Sequence, residues 1–330
     1  HVLGNVEVAL TENDKWVAIF GNGYDSASGD STLFIVDLAT GDLIEAIDTN
    51  SNGGGLASPF LFDADGDRRV DYVYAGDLEG NVWKFDLETD DDSEVRVVDT
   101  EDNANNKVPL FVAKGLDGNR QPITTRPAAG APPDGQSGAM VYVGTGRFDF
   151  VGDSTVGSNP QIQSIYGLHD DAGGDSVVEE SSIGTGSGRY GTLVNQEIID
   201  QFQASFDGTS QTLRELTNND VDYTGADTGW MLDLKVNKQS AEGERVIARP
   251  TLRFERLIVS TFIPSDSPCE FGGESFLLEF NAINGSRFED PVFDLDNDGV
   301  IDSDDLPTDS NGNPIYISGL QTAATTNPPA

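Results

Sequence analysis

The segment DLDNDGVIDSDD, from Asp294 to Asp305, places carboxylates at alternate positions. Counting Asp294 as position 1, Asp296, Asp298, Asp302 and Asp305 fall at 3, 5, 9 and 12, with Gly299 at 6 and Val300 at 7. A chain wrapping a hard cation turns alternate side chains inward, offers the carbonyl of position 7, and uses glycine at 6 for the sharp bend. The chemistry is oxygen coordination of Ca2+ at ~2.4 Å. Without an ion, carboxylates this close repel one another, which raises pKa values and loosens the loop. Asp305 is shorter than the glutamate usual at position 12, which makes bidentate closure harder. The plainer reading of such a segment is a solvated acidic turn.

A second segment, DADGDRRVD, puts Asp63, Asp65, Asp67 and Asp71 at positions 1, 3, 5 and 9, with the Arg69 carbonyl at 7. Position 12 is Tyr74, in a strand-like run, so Asp71 must supply the last ligand of a compact loop. Gly66 at position 4 and Arg68 at 6 depart from the pattern and are expected to weaken closure.

Other chemistry is sparse. His1 and His169 are the only histidines, so a Ser-His-Asp or Cys-His site would rest on one of them, and His169 reads as a strand end. GNGYDS (Gly21 to Ser26) and GTGR (Gly144 to Arg147) are glycine-rich, but neither precedes a helix that could hold a phosphate, so they read as turns. No pair of acids stands out for glycoside hydrolysis. No catalytic residue is assigned. Cys269 stands alone, which excludes an intrachain disulfide and a cysteine zinc site.

The elements that must hold these loops are short runs of Val, Ile, Phe and Tyr bounded by Gly, Asn, Asp and Pro. They include Trp16 to Phe20, Thr32 to Leu38, Tyr72 to Ala75, Asn81 to Leu87, Met140 to Val143, Met231 to Leu234, Arg256 to Phe262 and Ser275 to Phe280. They predict an all-β fold. The best helix candidate, around Leu193 to Phe202, is short. LFIVDLATGDL, VWKFDLETDD and FLLEFNAINGSRF share an apolar strand, an Asp or Asn and a polar turn, which favours a β-propeller over a sandwich. At about 40 to 50 residues per blade the length corresponds to roughly seven irregular blades. Asp86 to Asn106 and Asp170 to Ser187 read as exposed loops. The expected organisation is a propeller domain over 1–306, carrying both acidic loops, and a poorly ordered polar tail over 307–330.

Of the 330 residues 37% are hydrophobic, enough for a sizeable core, and 57 acidic against 19 basic residues give a net charge of −38. Such a surface repels phosphate backbones and anionic headgroups, so neither nucleic acid nor membrane is an expected partner. It also repels itself unless cations screen it. No apolar run reaches the roughly 20 residues needed to span a bilayer. Beginning at His1 and not Met, the chain reads as a piece of something longer.

Taken in order, several stretches resemble the C-terminal domain of the PilC/PilY family of type IV pilus biogenesis factors and adhesins. They include WVAIFGNGYDS, LFIVDLATGDLI, DADGDRRVDYVYAGDLEGNVWKFDL, VYVGTGRF, GWMLDL, GERVIARP and STFIPSDSPCEFGGESFLLEFNAINGSR. The longest, Asp63 to Leu87, is the most specific. The resemblance implies a modified, quinoprotein-like β-propeller that is not an enzyme and whose calcium loop at Asp63 to Asp71 governs pilus extension and retraction. It implies export through the periplasm to the pilus tip, with pilin-like proteins of the tip and host or abiotic surfaces as partners. Two alternatives are a quinoprotein-type dehydrogenase, because VDLATG resembles a quinone-propeller turn, and a generic integrin-like calcium-binding adhesin propeller, because DADGDRRVDYVYAG resembles those repeats.

Overall fold

The structure, a computed structural model, describes residues 4–26, 29–87, 96–97, 107–149, 152–171, 177–237, 239–265 and 273–323. Among the described residues there are strands and short 3-10 turns and no α-helix. Cys269 and most of Asp86 to Asn106 lie outside them. The chain divides into two compact units, residues 1–146 with 168–192, and residues 147–167 with 193–330.

The first unit opens with an antiparallel meander, β1 (Glu7–Leu10), β2 (Trp16–Gly21), β3 (Thr32–Asp37) and β4 (Leu43–Asp48). A second sheet follows: β5 (Phe60–Phe62), β6 (Tyr72–Gly76), β7 (Asn81–Asp86) and β8 (Arg96–Val97), with β9 (Phe111–Val112) also on β7. Alternation along the strands explains the core. Val17, Ile19, Leu33, Ile35 and Ile47 of the first sheet pack with Val73, Ala75, Trp83 and Phe85 of the second. In the turn after β3, Gly41 takes φ +79, the left-handed conformation expected of the ATG turn. The β6–β7 turn is tied by Asp77, fully buried, which accepts from Asn81 Nδ2 at 2.8 Å and Trp83 Nε1 at 2.9 Å. The unit also contains β10 (Ala128–Gly130), antiparallel to β11 (Ala139–Gly144). The chain passes between the units along β12 (Ser164–Asp170).

In the second unit the helix candidate is a strand. β13 (Leu193–Phe206) is 14 residues long and pairs antiparallel with β14 (Thr209–Leu216) and parallel with β15 (Gly229–Val236). Its far half alternates apolar and polar residues, and Phe202, Ala204 and Phe206 join a core with Leu213, Val292, Phe293 and Leu295. That period of two suits a pleated sheet, not a helix. The sheet continues through β16 (Arg245–Val246), β17 (Thr251–Arg253), β18 (Arg256–Pro264) and β19 (Gly273–Asn281). β20 (Gly319–Ala323) lies between β14 and β19. Gly319–Ala323, within the segment expected to be a poorly ordered polar tail, is thus a strand between two others, with Ile315, Ile317 and Leu320 in the same core. Trp230 is buried between Gly167 and Gly285, where an added Cβ would come within 2.3 Å and 2.4 Å of its indole.

Candidate metal centres

The first acidic loop connects β5 to β6. Its ends are zipped together, since Phe62 pairs with Tyr72 and the Asp71 amide donates to the Phe62 carbonyl at 3.0 Å. Inside, Asp63 accepts from the amides of Gly66 (2.7 Å) and Arg68 (2.8 Å), and Asp65 from Asp67 (3.0 Å). Asp67 accepts from the amide of Arg69 (2.7 Å), and Asp71 from Ala64 (2.5 Å). Each bond ties a carboxylate to the backbone of the loop. Asp63, Asp65 and Asp71 each present an oxygen within 4.8 Å of the others, with Asp71 buried. Asp67 stays outside that set, partly because Arg69 Nη1 holds its other oxygen at 3.0 Å. Its pKa is lowered, first by the Arg69 amide.

The second loop repeats the first half of this scheme. Asp294 accepts from Gly299 (3.0 Å), Asp296 from Asp298 (3.0 Å) and Asp298 from Val300 (2.7 Å). The closing acid is Asp305, in a 3-10 turn over Ser303–Asp305, where it accepts from the amides of Leu295 (2.5 Å), Asp296 (3.2 Å) and Asp302 (2.9 Å). Asp294, Asp296 and Asp305 converge within 4.8 Å. Asp298 and Asp302 do not join them; Asp302 caps the 3-10 turn by accepting from Asp304 at 2.9 Å. Asp294 Oδ1 is buried with no hydrogen-bond partner, which suits an oxygen that completes its shell on a cation. The Asp296 pKa is raised: the Asp298 amide lowers it, but desolvation and the charges of Asp298, Asp305 and Asp294 together outweigh that bond.

Both loops bend by left-handed residues at positions 4 and 6, with the glycine swapped between them. The first has Gly66 (φ +84) and Arg68 (φ +76); the second has Asn297 (φ +61) and Gly299 (φ +88). At Arg68 a side chain therefore sits at positive φ, which costs roughly 1 kcal/mol that glycine does not.

The sequence reading missed what the β1–β2 turn brings to the first loop. Asp14 pairs with Arg69, 55 residues away, and the Val70 amide donates to the Leu10 carbonyl at 3.0 Å. Glu12 has its pKa raised, first by burial and then by the charges of Asp67 and Asp71. No local pattern announces either acid. His169 is the next-to-last residue of β12, with Nε2 2.9 Å from the Ser137 carbonyl, in line with its expected place near a strand end.

A family model for the PilY1 beta-propeller domain matches residues 1–211. A type IV pilus biogenesis factor PilY1 homolog of Xylella fastidiosa (strain Temecula1) is 35% identical over 298 residues, 86% of this chain and 19% of the relative. The type IV pilus biogenesis factor PilY1 of Pseudomonas aeruginosa (strain UCBPP-PA14) is 31% identical over 336 residues, 93% of this chain and 28% of the relative. The chain therefore spans well under a third of these relatives. The crystal structure of the Pseudomonas aeruginosa PilY1 C-terminal domain superposes with a TM-score of 0.81 at 27% identity, covering 97% of this chain and 66% of that one. These relatives are named as pilus biogenesis factors, not as enzymes. With a family model over most of its length and relatives above 30% identity across nearly all of it, this chain is a β-propeller that belongs to the PilY1 family of type IV pilus biogenesis factors.

Proposed function

We propose that the chain is the calcium-binding module of a type IV pilus tip protein, supporting pilus biogenesis, control of extension and retraction, and surface adhesion. The observation that carries this reading is the convergence of Asp63, Asp65 and Asp71 at the start of β6, in a chain whose relatives are pilus biogenesis factors. With the Arg69 carbonyl and Asp67 closing in, this set would hold Ca2+. Asp294, Asp296 and Asp305 would hold a second ion, with the Val300 carbonyl, Asp298 and Asp302 as further donors. The ion supplies positive charge that neutralises the cluster and fixes its oxygens. The protein's share is the row of amides that aims those oxygens before the ion arrives.

Occupancy of the first loop would order the entry to β6 and so hold a surface for pilin-like partners at the tip and for the substratum. An extracellular position at the tip of the filament follows from that role. An ion at a hundred times its Kd stabilises the fold by about 2.7 kcal/mol, enough to switch a loop. The test compares the parent with an Asp63→Ala, Asp71→Ala variant. Calcium should raise the melting temperature of the parent more than that of the variant, and cells carrying the variant in the full-length protein should lose normal control of pilus number. An equal calcium-dependent rise in both proteins rejects the reading.

A further inference from the structure

We infer that, if both loops hold calcium as proposed, Arg69 is a tethered counter-cation that competes with calcium for Asp67 and makes the first loop respond at a higher calcium concentration than the second. The two loops are alike at position 5. Asp67 accepts from the Arg69 amide and Asp298 from the Val300 amide, each at 2.7 Å, and both acids lie outside the trio that converges. They differ at the second oxygen. Arg69 closes on Asp67 Oδ2 through Nη1 at 3.0 Å, so a single residue engages both oxygens of that acid. The residue at the same place in the second loop is Val300, which brings no charge.

Asp67 must give up its guanidinium before that oxygen can face an ion; Val300 holds nothing that Asp298 would have to release. A cation fixed in the loop also repels a second one, and a unit charge several ångströms from a divalent ion in a solvated site weakens its binding by about fivefold. Arg69 has a second carboxylate to rest on. It also pairs with Asp14 of the β1–β2 turn, and that turn is fixed by the Asp14 amide donating to the Thr11 carbonyl and the Thr11 amide to the Lys15 carbonyl, both at 3.0 Å. Asp14 thus keeps Arg69 at the loop when Asp67 lets go. The side chains of Arg69, Asp67 and Asp14 are 28%, 35% and 75% exposed, so water weakens both pairs and neither locks the loop shut. A competitor of that strength shifts the affinity of the loop without abolishing binding.

The test follows backbone amide exchange at residues 63–71 and 294–305 of the full-length protein against calcium concentration, which gives each loop its own midpoint. In the parent, 294–305 should become protected at lower calcium than 63–71. Arg69→Val keeps the carbonyl of position 7 and should lower the 63–71 midpoint about fivefold while leaving 294–305 unmoved. Val300→Arg should raise the 294–305 midpoint by a similar factor. Arg69→Lys should stay within about twofold of the parent, a rescue by charge that a packing role would not give. The gap between the parent and Arg69→Val should narrow with added sodium chloride. The reverse order of midpoints in the parent, or an unchanged 63–71 midpoint in Arg69→Val, overturns the inference and leaves calcium at both loops standing. No calcium-dependent protection of 63–71 in any of these proteins rejects the calcium reading of that loop, and the role of Arg69 with it.

Discussion

The two acidic loops share their opening geometry and differ in how they balance charge. The first carries four aspartates and two arginines, and Arg69 is paired with Asp67 and with Asp14 from the neighbouring turn. The second carries six aspartates, no basic residue, and a buried carboxylate oxygen without a partner. The first loop has part of its counter-charge built in. The second leaves it to solution. Their closing acids differ too: Asp71 directly precedes β6, whereas Asp305 sits in a 3-10 turn and gathers three amides of its own loop. The same half-motif thus serves a strand entry in one place and a self-contained knot in the other.

The largest expected effect tests the knot. Without calcium, Asp305→Ala should cost about 3 kcal/mol in denaturant unfolding, because three amides lose a charged acceptor. Asp71→Ala should cost less, and the reverse order would break the comparison. Next, with calcium at a hundred times Kd, each intact loop should contribute about 2.7 kcal/mol. The Asp63→Ala, Asp71→Ala variant should keep the share of the second loop, and Asp294→Ala, Asp305→Ala that of the first, as read by calorimetry. Stripping calcium with a chelator should raise amide exchange more at residues 294–305 than at 63–71.

Arg68→Gly should stabilise the first loop by roughly 1 kcal/mol and tighten calcium binding, because it removes a side chain from positive φ. The matching Gly299→Arg change should cost a similar amount. Asp14→Ala should matter least among the substitutions, at about 0.5 kcal/mol or below, since Asp14 is largely exposed. A control for both loops is the turn at Asp309, an acid served by neutral donors. Asn313 and Asn311 hold its pKa at about 2, below the ordinary 3.8. Its stabilising contribution is complete above the ordinary value and is lost as pH falls through about 2. A carboxyl NMR titration should give that midpoint with or without calcium.

The strands were legible because their apolar runs, bounded by glycine and acid, have one local cause. Trp16 to Phe20, Tyr72 to Ala75 and Ser275 to Phe280 all fall within strands, and the glycines of two turns, Gly41 and Gly285, take positive φ. Leu193 to Phe202 misled because its first residues, LVNQEII, carry no clean alternation; the period of two shows only from Phe202 onwards. Gly319–Ala323 was illegible for a different reason: GLQTA has little strand signal, and only its position between β14 and β19 makes it one. In the loops, spacing singled out acids among which Asp63, Asp65 and Asp71, and Asp294, Asp296 and Asp305, converge in the fold. It could not show that Asp302 caps a turn or that Asp14 meets Arg69, because both depend on the folded path.

The zipped base of the first loop has a mechanical consequence. The chain enters through Phe60–Phe62 and leaves through Tyr72–Tyr74, and these two segments are bonded to each other in antiparallel register. Tension drawn along the polypeptide would cross from one to the other through that ladder and bypass the aspartates between them. A pulling force would be carried by the paired strands at the base, and the loop would feel it only once the hairpin tears.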